Sequence, residues 1–228
     1  MDNILSLFYV TFIFDNRWQF FANGLLMTLI LTISSFILGS IIGALFCRLR
    51  FSKNKIIIKL ANILNAFLVQ LPTLVLLMVF VYIIFSKTSL SAVIIVIFGL
   101  TLKTASYMSD IFYTAVVATN SGEAEAARAL GMNKYQSFVY ITLPQAIQNS
   151  LAVYKNQFIS TLQETSIVGS LAIQELTKAS TIITSRTLNA FFSLISISIL
   201  YILIGVVGTS ILNLIGKTKH IGDNLWLE

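Results

Sequence analysis

Long apolar stretches, separated by short charged or polar segments, set the pattern of this chain. From Phe20 to Cys47 no residue is charged, and Arg17 and Arg48 bracket the run. Leu60 to Ser86 is again uncharged and contains Pro72, and Thr187 to Gly216 is uncharged for thirty residues. Two further stretches are apolar but interrupted: Ala92 to Val117 carries Lys103 and Asp110, and Pro144 to Ile173 carries Lys155 and Glu164. A bilayer core about 30 Å thick is crossed by roughly 20 apolar helical residues. The pattern therefore predicts an all-α membrane protein with five transmembrane helices at about 20–47, 60–86, 92–117, 145–173 and 187–216.

The connecting segments supply the orientation. Arg48, Arg50, Lys53, Lys55 and Lys59 form a strongly basic loop, which the positive-inside rule assigns to the cytoplasm, so the N-terminus is expected outside and the C-terminus inside. Nine basic residues then fall inside (those five with Arg128, Lys134, Lys217 and Lys219) against four outside (Arg17, Lys87, Lys178 and Arg186). The segment Gln174 to Arg186 is polar and is expected to lie outside. Residues 1–18 hold an apolar run from Ile4 to Phe14 that is too short to span; with Phe8, Tyr9, Phe12, Phe14 and Trp18 they predict an aromatic helix along the interface. Asp2 in place of a basic start, and the lack of a small-x-small site, set this segment apart from a signal peptide.

Within the spans, Pro72 predicts a kink or break, because proline removes a helix bond and crowds the preceding turn. Gly39 and Gly43 make a GxxxG pair that would let another helix approach closely, or are incidental glycines in a lipid-facing helix. Lys103 and Asp110 share one face of the third span, and charge at that depth usually faces a bundle interior, a partner or water. A solvated Asp110 near the cytoplasmic end satisfies the same spacing.

Composition agrees with the pattern. The chain has 228 residues, 57% apolar and 11% charged, with a mean hydropathy of +0.87. Soluble domains carry about 25% charged residues. The net charge of +6 sits in short loops, so it reads as topology and no nucleic-acid partner is expected. A lone Cys47 and a lone His220 offer neither a disulfide, a metal cluster nor a nucleophile–base pair, so no catalytic residue is assigned.

The polar segment 120–144 stands out between these spans. Asn120 with Glu123 reads as a helix start with a box-like pair, followed by an Ala-rich run to Leu130 and by Gly131, suited to the left-handed residue that ends a helix. Asn133 with Gln136 repeats the start signal, and Thr142 followed by Leu143, Pro144 and Gln145 gives a third. The product is a cytoplasmic helical hairpin. Ala124, Ala126, Ala127 and Ala129 leave a smooth side that fits a groove in another protein, or merely favour helix in a connector.

The run EAARALGMNKYQSFVYITLP resembles the EAA signature of the permease subunits of bacterial type I ABC importers. Glu125, Ala126, Ala127, Gly131, Ile141, Leu143 and Pro144 stand in register with it, seven agreements over twenty positions. SYMSDIF (Ser106 to Phe112), GEAEAARALG, ITLPQA, Asn156, Thr165, Ser166, Glu175 and Leu176 are similar to the polar amino acid uptake branch, over roughly residues 20–215. Gln163 stands where that branch has lysine, Val69-Gln70-Leu71-Pro72 where it has R-G-T-P, and Tyr113 where arginine is usual.

The resemblance implies a single transmembrane domain of the importer type over 1–228, in a bacterial cytoplasmic membrane. It implies an ABC ATP-binding subunit, a second permease (a copy or a paralogue), an external solute-binding protein, membrane lipid and an amino acid substrate as partners. ATP and Mg would be used by the partner, with no cofactor on this chain, which lacks a GxxxxGK(S/T) loop. The seven register residues would couple the permease to the ATPase. For a zwitterionic substrate, Asp110 or Glu164 would face the ammonium, and Lys103, Thr165 and Ser166 the carboxylate, with Lys103 standing in for the lysine absent at 163; a Lys103 pair with Glu164 or Asp110 and no ligand contact is the alternative. A permease for another small solute, a channel and a scaffold protein fit the same composition.

Overall fold

The structure, a computed structural model, describes residues 6–217. The first five residues of the predicted interfacial helix, and the predicted tail beyond Lys217 with Lys219 and His220, lie outside the described residues. Among the described residues every regular element is helical. A short helical stretch ending in a π turn at Tyr9–Ile13 leads through a tight turn at Phe14–Asn16 into the first long helix. Phe8, Tyr9, Phe14 and Trp18 are exposed there, while the Phe12 ring packs 5.4 Å from that of Phe21.

The first span is α1, Trp18–Arg50, whose last turn carries Arg48 and Arg50 against the negative helix end. Asn54 caps α2, Lys55–Gln70, by accepting from the Ile56 amide at 2.9 Å. Lys55 and Lys59 are thus helical, and the predicted basic loop shrinks to a turn at 51–54, because the Asn54 cap nucleates the helix before the apolar run begins.

The predicted second span at 60–86 is two pieces. Leu71 and Pro72 are extended (ψ 130° and 134°), and α3, Thr73–Val79, continues into a π turn at Phe80–Ile84. The two halves are bent by 106°. Proline at 72 offers no N–H and disfavours helical backbone at 71, so the helix ends there instead of kinking.

The third span is α4, Ala92–Val117, started by Ser91. It packs along α1 through the GxxxG pair. A Cβ at Gly39 would stand 2.7 Å from the Thr104 side chain, and one at Gly43 would stand 2.5 Å from the Met108 Cβ and 2.8 Å from the Ala105 carbonyl oxygen. These glycines are a packing device within the chain. Leu31, Leu77, Val96, Leu100 and Val168 close the core beside them.

After α5, Ser121–Ala129, and α6, Lys134–Ser137, a π turn at Phe138–Thr142 joins α7, Leu143–Thr165. The predicted third helix start at Thr142 is absent: its backbone is helical and its side chain caps nothing, so Lys134 to Thr165 is one continuous run. A tight 3-10 turn at Ser166–Leu171 ends in Ala172, with φ 62°. The polar segment 174–186 forms α8, Leu176–Thr187, whose Leu176, Ala179, Ser180 and Ile183 are buried against α1. That i, i+3, i+4, i+7 spacing is a helical stripe visible in the sequence, masked by the hydroxyls around it. Glu175 is fully buried and caps α8, accepting from the Thr177 and Lys178 amides at 2.7 Å each and from the Tyr201 hydroxyl at 3.0 Å.

The last helix is α9, Phe191–Lys217. Helices α1, α4 and α9 are each long and apolar enough to cross a membrane, and α2 with α3 qualify together as a bent pair. The predicted fourth span, α7, does not qualify, because it spends positions on Gln145, Gln148, Asn149, Lys155, Asn156 and Glu164.

Two substitutions test this packing. Gly43→Ala is expected to destabilise the detergent-solubilised protein by about 1–3 kcal/mol through overpacking, read as a lower melting temperature. Gly205→Ala, whose new Cβ would meet only a Leu162 methyl at 3.9 Å, should leave it unchanged. Glu175→Ala should cost about 0.5–2 kcal/mol through the lost cap and speed hydrogen exchange at the Thr177 and Lys178 amides.

Candidate functional site

Two groups of residues carry chemistry: the hairpin between α4 and α7, and the polar side chains around the broken span. The hairpin is built by local bonds. Asn120 accepts from the Gly122 amide at 3.0 Å and starts α5. No capping box forms with Glu123, whose carboxylate instead accepts from the Gln145 side chain on α7. At the other end the Gly131 amide donates to the Arg128 carbonyl and the Met132 amide to the Ala127 carbonyl, both at 3.1 Å, the two bonds of a Schellman turn. Gly131 has φ +100°, a backbone that strains any residue with a Cβ, although a Cβ there would meet no neighbour within 4 Å.

Asn133 and Gln136 form the reciprocal capping box of α6, at 2.9 Å in both directions. The Ser137 hydroxyl then donates to the Ala124 carbonyl at 2.9 Å and ties α5 down onto α6. The alanines divide accordingly. Ala127 is buried and Ala124 half-buried toward α6 and the π turn, whereas Glu125, Ala126 and Ala129 are exposed with Leu130, which is 89% exposed. The smooth side expected to hold all four alanines therefore presents only two of them, because i and i+3 residues share a face and 124 and 127 are used to dock the helix. Ile141, Leu143 and Pro144 are half-buried in the run that supports the hairpin.

The predicted path residues separate. Asp110 lies far along α4 from Lys103 and accepts from Arg50 at 2.6 Å and from the Asn65 amide at 3.0 Å. The Arg50 guanidinium also sits 4.1 Å over the Tyr113 ring. Arg50 and Asn65 are partners that residue spacing does not reveal, since they come from α1 and α2, and together they pin three helices.

Lys103 is buried, and its Nζ donates to the carbonyls of Leu68, Val69 and Leu71 at 2.9, 2.9 and 2.6 Å. All three ammonium protons have acceptors in the break of the second span, so none is left for a ligand carboxylate or for an ion pair with Asp110. Lys103 therefore binds residues 68–71 of the break, and the Glu164 carboxylate, the other member of the alternative pairing, interacts with its charge without a salt bridge.

Glu164 faces the other side of the same break. Its Oε1 accepts from the Thr73 hydroxyl at 3.2 Å, and its buried Oε2 has no partner among the described residues. Thr165 is buried and donates to its own helix at the Leu162 carbonyl. Ser166 donates to the Gln163 carbonyl and lines, with Gln163, Tyr201 and Thr209, a hollow of about 390 Å³ between α7 and α9. The site is thus a break in a span with a cation bound to one lip and a carboxylate to the other, and a capped hairpin at the far end of α7.

Residues 35–220 match the model of the family described as binding-protein-dependent transport system inner membrane component. The chain is 30% identical over 179 residues to the probable amino-acid permease protein YxeN of Bacillus subtilis, covering 77% of this chain and 80% of that protein. It is 29% identical to the histidine/lysine/arginine/ornithine transport system permease protein HisM of Salmonella typhimurium, covering 91% of this chain and 92% of HisM. Among solved structures, an amino acid ABC transporter with histidines superposes with a TM-score of 0.79 at 29% identity, over 88% of this chain and 94% of that one. The MetNI methionine ABC transporter, at 19% identity and a TM-score of 0.70 over 87% of this chain and 97% of that one, shares the fold. The chain belongs to the binding-protein-dependent transport system inner membrane components, the permease subunits of ABC importers.

Proposed function

We propose that this chain forms one membrane half of an ATP-driven importer of a polar amino acid. The observation that carries this reading is the hairpin at 121–144: a short helix capped at both ends, cross-tied by Ser137 and Glu123, and presenting Glu125, Ala126, Ala129 and Leu130 outward. Each bond removes a way for the hairpin to bend on its own, which is what a lever needs. An ABC ATP-binding subunit would receive α5 in a cleft. Closure of the ATPase pair around ATP and Mg would move α5 and the joined α6–α7 run as a body, switching two permeases between outward-facing and inward-facing states. An external solute-binding protein would deliver the substrate.

The membrane arrangement that goes with this has five crossings, counting α2–α3 as one broken span and α7 with its 3-10 turn as another. The N-terminus is outside with the aromatic segment before α1 at the interface, and the hairpin and C-terminus are cytoplasmic. The excess of basic residues at the ends of α1 and α2 and in the hairpin supports it. The amino acid class is supported by the names of relatives such as YxeN and HisM. On this reading the Glu164 carboxylate, with its free buried oxygen, faces the substrate ammonium, and Thr165 and Ser166 lie beside the path.

Gly131→Asp is expected to reach the membrane at normal level while ATP hydrolysis by the assembled complex no longer drives uptake; normal uptake by that variant would remove the coupling role. Glu164→Gln should raise the KM for uptake in proteoliposomes about tenfold or more, the worth of one hydrogen bond to a charged group. An unchanged KM would take Glu164 out of the path.

A further inference from the structure

The break in the second span leaves backbone carbonyls without helix partners. The Leu71 amide donates to Phe67 at 3.1 Å, the last bond of α2, and the next helical bond beyond Pro72 runs from the Leu76 amide to the Pro72 carbonyl at 3.0 Å. In a continuous helix the Leu68 carbonyl would accept from residue 72, which is proline and has no N–H, and the Val69 carbonyl from residue 73, which the bend carries away. Leu71, in extended backbone, turns its carbonyl out of the helix. Lys103 reaches these three oxygens from α4, and its Nζ also lies 5.1 Å from the Tyr107 ring centroid. Among the described residues it has no salt bridge. Its charge is met by carbonyl dipoles, by the negative end of α2 and, beyond salt-bridge distance, by the Glu164 carboxylate.

We propose that Leu68, Val69 and Leu71 form a carbonyl cradle for a monovalent ammonium-type cation, that Lys103 is its built-in occupant, and that Lys103 thereby acts as a positioning residue for Glu164. Number and geometry support the pairing, since three donors meet three acceptors at 2.6–2.9 Å in a side chain that is 2% exposed. The link to Glu164 is two residues long. Once Leu71 is held, Pro72 is rigid and Thr73 follows at the start of α3, where its hydroxyl donates to Glu164 Oε1 and leaves Oε2 free. The cation sets the bend, the bend sets Thr73, and Thr73 orients the carboxylate. This last step rests on the reading of Glu164 as a substrate contact; the cradle does not.

The test uses the complete importer in proteoliposomes. Lys103→Ala removes a propylammonium group, so n-propylammonium added to the medium is expected to restore melting temperature and uptake, whereas n-propanol, with one donor and no charge, should not. Without rescue agent, Lys103→Ala should raise the KM by about the same factor as Glu164→Gln, and the double variant should be no worse than Glu164→Gln alone, because coupled residues do not add. A KM unchanged in Lys103→Ala but raised in Glu164→Gln would overturn the positioning role, and losses that propylammonium fails to repair would overturn the cradle. If Lys103→Ala does not accumulate, Lys103→Met is made alone and with Pro72→Ala, which returns an N–H to the Leu68 carbonyl. Better accumulation of the double variant supports the cradle, and equal accumulation overturns it. Should Glu164→Gln leave KM unchanged while propylammonium still rescues Lys103→Ala, the cradle stands and only the role of Glu164 falls.

Discussion

In hydrocarbon a backbone carbonyl has no water to turn to, so a span that breaks must find its donors within the protein. That constraint falls hardest on the turn at Leu71 and Pro72, and the packing of α1 and α4 is arranged to meet it. Lys103 supplies the donors at 2.6–2.9 Å, and it can do so only because α4 lies close against α1 and in reach of the break. The close approach depends in turn on Gly39 and Gly43, where a side chain would collide with Thr104 and Met108. A bare-backbone contact on one side of α4 and a buried cation on the other are two parts of one solution.

Two carboxylates of the bundle follow the same logic. Asp110 is held by Arg50 and Asn65, joining α4 to α1 and α2. Glu175, fully buried, spends its oxygens on two amides of α8 and on Tyr201, so a short polar helix can enter the core with its first turn satisfied. Glu164 differs from these two carboxylates: one of its oxygens is buried and unpaired among the described residues, as are Asn65 Oδ1, Gln157 Nε2 and several hydroxyls. On the proposed reading, that carboxylate oxygen is where the substrate ammonium binds.

The hairpin answers a different demand. It lies outside the apolar spans, and its stability is local: caps at Asn120 and Asn133, a left-handed Gly131, and cross-ties from Ser137 and Glu123. Its continuity with α7 through the π turn means that a push on α5 is delivered along a helix ending next to Glu164. On the proposed reading, the driving end and the carrying end of the molecule are opposite ends of a single helical run.

The sequence alone determined what depends on local chemistry and composition. The α1 and α9 spans followed from uncharged length, α4 from an apolar run long enough to carry Lys103 and Asp110, the hairpin from Asn and Gly at turn positions, and the family from the register of Glu125 to Pro144. A kink or break at Pro72 was legible, but its depth, a 106° bend, came from tertiary structure, because only a donor from another helix can stabilise so many open carbonyls. So did the burial of α8, whose polar composition hid an apolar stripe until Glu175 and Tyr201 were brought together. Lys103, Asp110 and Glu164 were legible as important because charge in a span is costly, but their partners were not. Leu68, Arg50 and Thr73 lie 35, 60 and 91 residues away in the chain, and spacing along one helix carries no information about which helix will lie beside it.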